Sequence, residues 1–160
     1  MPLNAAQLAE LIDRQAESLR LWIRSRCVAP DDVVQEAFCR LAMESPPPEN
    51  PIAWLYQVCR NLAEKQRRSD SRRSRRETAR AIEETANTVP ADPLEMAEAV
   101  AAIELLEDEL REVLVARIWG GLSFDEIARM CAISIATACR RYQAALAALR
   151  NKLESPCENK

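Results

Sequence analysis

An all-α fold, with two small helical domains joined by a flexible linker, follows from three features of this sequence. Helical periods of apolar residues succeed one another along nearly the whole chain and leave little for strands. Only 2 glycines occur in 160 residues and alanine is the commonest type, which disfavours a turn-rich β sandwich. Thr85 to Pro93, small polar residues with two prolines, breaks the helical pattern and reads as the linker. With 48% hydrophobic and 29% charged residues, the chain has the apolar content for a packed core.

The elements follow in order. Asn4 with Gln7 three residues on is capping-box chemistry, and Leu8, Leu11, Ile12, Leu19, Trp22 and Ile23 then keep a helical period to about Arg26. Pro30 suits the first position of a second helix, Asp31 and Asp32 favour the positive end of its dipole, and Val33, Val34, Ala37, Phe38 and Leu41 form its stripe. The three prolines in residues 45–50 predict a stiff, extended loop. Asn50 caps a third helix with Pro51 at its first position, continued by Ala53, Trp54, Leu55, Val58 and Leu62. After the linker, Asp92 and Pro93 restart a helix through Leu94, Ala97, Val100, Ala101 and Leu105. Another follows around 107–119, packed through Leu110, Val113, Leu114 and Ile118, and Gly120 and Gly121 stop it. Ser123 and Glu126 cap a short helix, and Ser134 caps a long last one with Ile135, Ala138, Tyr142, Leu146, Leu149 and Leu153 on one face.

Composition excludes several chemistries. The chain has 0 histidines, which removes imidazole bases, histidine-dependent nucleophiles and histidine-bearing zinc sites. There is no glycine-rich phosphate loop and no paired-carboxylate motif, so no enzyme, metal or cofactor is expected. No apolar run approaches a membrane span and no signal-peptide pattern opens the chain, so a soluble, cytoplasmic protein without membrane insertion is expected. The six cysteines, Cys27, Cys39, Cys59, Cys131, Cys139 and Cys157, form no C-x-x-C pair and are expected as reduced thiols. Cys39 and Cys59 fall on different helices and could meet in space.

Charge is strongly patterned beneath a formal net of −3. Residues 65–80 hold 8 basic and 2 acidic groups, whereas residues 81–110 hold 9 acidic groups and no Lys or Arg. The basic block suits phosphate binding better than a merely solvated face. The acidic block either keeps a linker soluble and extended or shadows the arginines and holds the free chain closed.

The strongest signal is SFDEIARMCAISIATACRRY, residues 123–142, a capped short helix, a three-residue turn and a second capped helix. This is helix-turn-helix spacing: Ile127, Ala128 and Ile133 lock the pair, while Ser134, Ala136, Thr137, Arg140 and Arg141 face outward toward a major groove.

Residues 106–153 resemble region 4 of bacterial RNA polymerase sigma factors, and more closely the extracytoplasmic-function group. DDVVQEAFCRLA at 31–42 resembles that group's region 2.2, and AWLYQVCRNLAEKQRR at 53–68 its regions 2.3 and 2.4. The resemblance implies a transcription initiation factor with domains at 1–76 and 94–156 and a linker at 77–93. Its implied partners are core RNA polymerase (β′ clamp and β flap), promoter DNA and an anti-sigma factor. It implies that Asp32, Gln35 and Glu36 bind core polymerase. Arg60, Asn61, Arg67 and Arg68 would contact the −10 element, and Ser134, Thr137, Arg140 and Arg141 the −35 element. The 45–50 loop stands where the group captures a flipped base, with three prolines to stiffen it. The sequence departs from the group at Lys65, usually acidic, at Ala132, usually the turn glycine, and at Ala138, Cys139 and Ala144. Two other readings of the residues stand beside it, a dimeric helix-turn-helix regulator that binds DNA alone and a sigma-like helical adaptor that binds only protein.

Overall fold

The computed structural model describes residues 3–74 and 93–154, with side-chain environments for 3–70 and 97–154. Seven helices are present among them: α1 (Ala5–Ile23), α2 (Pro30–Met43), α3 (Pro51–Ser74), α4 (Pro93–Glu104), α5 (Asp108–Ile118), α6 (Phe124–Cys131) and α7 (Ile135–Glu154). The all-α expectation holds over these residues. The expected 77–93 linker, apart from Pro93 at the head of α4, and Cys157 lie outside the described residues.

Local chemistry sets the boundaries. Asn4 and Gln7 form a reciprocal capping box at α1, Pro30 opens α2, and Asn50 Oδ1 accepts the Ala53 N–H at 3.1 Å to cap α3. α1 ends at Ile23, earlier than expected, and its last carbonyl is taken up by the Arg26 N–H at 2.8 Å. Arg24, Ser25 and Arg26 are thereby released from the helix to serve as contact residues.

Helices α1, α2 and α3 pack as one bundle, and α4 to α7 pack around α5 and α7 as another. The first is filled by Leu19, Trp22, Ile23, Val33, Val34, Ala37, Leu41, Leu55 and Cys59, all nearly or fully buried. The second is filled by Ile103, Val113, Leu114, Val115, Leu122, Ile127 and Ala138. Full burial of one such side chain is worth about 1.5–3 kcal/mol.

The two bundles also touch, through α1 against α5 and α3 against α6. Several faces differ from the expected register. Tyr56 is fully buried in α3, edge-on to Trp22 at 5.0 Å, with its hydroxyl 3.2 Å from Ser18 Oγ. A Cβ on Gly120 would lie 3.0 Å from the Tyr56 ring and 2.5 Å from the Ala116 carbonyl, so Gly120 permits this close approach as well as ending α5. In α4 the buried residues are Ala102 and Ile103, with Leu106 just beyond, whereas Ala97, Ala101 and Leu105 are exposed. Ile12 and Ile118, expected inside, are also exposed.

Candidate nucleic-acid interface

Residues 123–142 form the expected helix-turn-helix. Ser123 Oγ accepts the Glu126 N–H at 3.2 Å while Glu126 Oε2 accepts the Ser123 N–H at 2.8 Å. That backbone bond, more than any other contact, holds the Glu126 carboxyl below its usual 4.5. Asn50 Nδ2 donates to the other Glu126 oxygen at 2.6 Å, tying the start of α3 to the start of α6.

The turn is closed by Ala132 in the left-handed region, φ 55° and ψ 45°, with the Ile133 N–H bonded to Ala128 O at 3.0 Å. Alanine therefore makes the same turn as glycine, at a backbone cost. Ala128 and Ile127 are buried at the crossing and Ile133 packs against the core, as expected. Phe124 meets Tyr142 edge-on at 5.5 Å, and the Arg117 guanidinium lies 4.8 Å above the Phe124 ring. Together these fix the angle of α7.

On α7 the first turn is organised in advance. Ser134 Oγ accepts the Thr137 N–H at 3.0 Å, the two hydroxyls are 2.8 Å apart, and Arg140 Nη2 donates to Thr137 Oγ1 at 3.1 Å. Ser134, Ala136 and Arg140 are exposed and Thr137 is half-buried, giving a polar edge beside a helix N-terminus. Arg141 turns instead toward α5 and pairs with Glu109 at 2.8 Å.

The expected −10 residues divide. Asn61, Arg67 and Arg68 are exposed along α3, and among the described residues Arg68 pairs with Glu64, one turn earlier, at 3.2 Å. Such an exposed pair is weak and leaves Arg68 available. Arg60 faces the other bundle, with Nε 3.1 Å from Glu112 Oε1 and Nη1 donating to Met130 O at 2.6 Å. Glu112 also pairs with Arg26 at 3.0 Å.

Asp32, Gln35 and Glu36 are all exposed on α2, over buried Val33, Val34, Ala37 and Phe38. Asp32 and Glu36 share a crevice with Lys65 of α3, so the unusual lysine stands beside this acidic face. On the other side of α2, Leu8, Ile12, Val34 and Phe38 line a mainly apolar groove against α1, and Gln35, with Arg20 and Asp31, borders this groove and not the Asp32 and Glu36 crevice.

Sequence reasoning missed Arg26, Gln15 and Glu112. Gln15 Nε2 donates to Trp119 O at 3.0 Å, and Ser25 Oγ to Asp108 Oδ1 at 2.6 Å. Arg24 also pairs with Glu104. The available signal was Glu112 itself, an acid at the head of the apolar run Val113–Ala116 of α5. The acidic residues Glu104 and Asp108 thus meet the end of α1; among the described residues, they do not shadow the arginine block.

The described cysteines are free thiols. Cys39 is exposed and Cys59 buried, and burial pushes the Cys59 and Cys131 thiols up to about 12.

Residues 96–149 match the family described as Sigma-70, region 4. The chain is 33% identical over 133 residues to the ECF RNA polymerase sigma factor EcfG of Rhodopseudomonas palustris (strain TIE-1), covering 78% of this chain and 69% of that protein. Its fold is similar to that of the sigma factor RpoE of Bartonella quintana, solved with the anti-sigma factor NepR (TM-score 0.68, 23% identity, 94% of this chain, 97% of that one). It is also similar to CnrH in complex with the cytosolic domain of CnrY (TM-score 0.55, 25% identity, 94% and 90% covered).

Proposed function

We infer, from the premise that this chain belongs to the extracytoplasmic-function (ECF) sigma factors of RNA polymerase, how its two bundles divide the work of transcription initiation. As an ECF sigma factor it is a transcription initiation factor that acts with core RNA polymerase. The domain at 1–76 docks on the β′ clamp through Asp32, Gln35 and Glu36 and reads the −10 element through Asn61, Arg67, Arg68 and, once freed, Arg60. The domain at 94–156 docks on the β flap and reads the −35 element through Ser134, Thr137, Arg140 and Arg141. The stretch 77–93 links them. The chain makes and breaks no covalent bond; nucleotide addition belongs to the polymerase, and both work in the cytoplasm.

The observation that carries this assignment is the edge of Ser134, Thr137 and Arg140, hydrogen-bonded in advance at the N-terminus of a helix held by a capped partner. Pre-ordered donors beside a positive helix end suit the phosphates and base edges of a major groove. For the first domain, the support is an exposed acidic face over a fully packed stripe, positioned to meet a basic partner. An anti-sigma factor is the further partner we infer. The groove of Leu8, Ile12, Val34 and Phe38 suits the apolar face of an amphipathic helix, and a similar chain was solved with an anti-sigma factor.

Co-purification with core polymerase and footprinting of the resulting holoenzyme test the division. D32K/E36K should lose core binding with helical content unchanged, and R140A should lose protection of the −35 element while keeping core. Undiminished core binding by the double variant would overturn the assignment of α2.

A further inference from the structure

We propose that Glu112 is the latch of a closed, self-inhibited free chain, and that it acts by occupying Arg60; the inference rests on the assignment of Arg60 to promoter DNA. Glu112 lies in the middle of α5 and is 2% exposed. Its Oε2 accepts from Arg26 Nη2 at 3.0 Å, and its Oε1 lies 3.1 Å from Arg60 Nε, an ion pair without a hydrogen bond between those two atoms. Both cations come from the first bundle, one just after α1 and one from α3. A buried carboxylate persists only when paired, so Glu112 is neutralised only while the bundles touch.

The Arg60 side chain is held a second time, by Met130 O at 2.6 Å. With Nε and Nη1 turned to the second bundle and the side chain only 24% exposed, the Arg60 guanidinium is drawn away from the open face of α3. In the closed chain Arg60 is therefore withheld from nucleic acid, while Asn61, Arg67 and Arg68 beside it stay exposed. The latch is reversible, because desolvation of a buried pair offsets much of its attraction and water or phosphate can replace either partner. Around it lie the exposed Arg24–Glu104 pair, which salt weakens, and the Ser25–Asp108 hydrogen bond at 2.6 Å.

Geometry requires that the latch open for work. Elements named −10 and −35 are offset by about 25 base pairs, roughly 85 Å at about 3.4 Å each. A compact chain of this length has a radius of gyration of about 15 Å. Closed, it cannot reach both elements.

The test uses the full chain and its E112Q variant, which keeps the side-chain shape and removes the charge. Small-angle scattering at about 50 mM salt should show E112Q wider than wild type by several ångströms, and wild type should widen similarly as salt rises. In run-off transcription with saturating core, E112Q should reach half-maximal initiation at about threefold lower concentration than wild type. A folded E112Q with the wild-type radius overturns the latch, as does an opened E112Q with no gain in initiation. Should E112Q melt, R26Q at a half-buried position carries the same two readouts. If the wild-type chain drives no initiation with core, the functional assignment fails separately and the scattering comparison decides the latch.

Discussion

Ala132 is where one residue carries the geometry of a whole motif. Its left-handed backbone turns α6 into α7, a conformation that costs an L-alanine about 1 kcal/mol relative to glycine. A132G should therefore stabilise the chain by about 0.5–1 kcal/mol and raise Tm by about 2–3 °C in thermal unfolding, with promoter binding unchanged. A fall in Tm would show that the Ala132 methyl packs more usefully than its position implies. The thiols separate equally clearly. Cys39 is exposed, whereas burial raises the Cys59 and Cys131 thiols to about 12, so few thiolates exist there at neutral pH. Alkylation at pH 8 followed by peptide mass spectrometry should find Cys39 modified well before Cys59 and Cys131; equal rates would mean the core opens readily. The turn position, the caps and the outward α7 residues other than Arg141, which pairs with Glu109 of α5, were legible in the sequence because each depends on neighbours within four positions. Glu112 with Arg26 and Arg60 was not, because those partners lie 86 and 52 positions away and no local period brings them together.

At the scale of elements, caps decide where helices begin, and the one at α6 does double duty by also binding Asn50. S123A should cost about 1 kcal/mol and loosen α6 first. The contribution of Glu126 has a pH signature. Its folded carboxyl sits below 4.5, so its stabilisation is complete above that value and is lost as pH falls through the lower, folded one. The gap in unfolding stability between wild type and E126A should thus be present at pH 7 and shrink toward pH 3; a constant gap would assign the loss to helix propensity alone. On α7, R140A should weaken DNA binding and lower the salt slope by about 0.9 if its contact is one phosphate. Helix existence was legible throughout, but burial in α3, α4 and α5 was not fully so. Periodicity finds one buried face, and contact between the bundles buries Tyr56 as well, while Leu105, an ideal core residue by period, is left 72% exposed.

For the whole molecule, the bundles in contact are one arrangement, and the proposed reading of two promoter elements calls for another. In the closed chain Gly120 lies against Tyr56, and Gln15, Ser25, Arg26 and Arg60 of the first bundle all bond to the second. Beside these contacts, one continuous cluster of buried apolar residues runs through both bundles. Under the proposed division of work, the two bundles stand apart on a promoter, with α3 at one element and α7 at the other. Photocrosslinking within the complete complex of chain, core polymerase and promoter DNA measures this directly, using a benzoylphenylalanine placed at position 67 or at position 140. Position 67 should crosslink to the −10 element and position 140 to the −35 element, about 25 base pairs apart, and only when core is present. Crosslinks from both positions to a single patch of DNA, or the same pattern without core polymerase, would contradict the account.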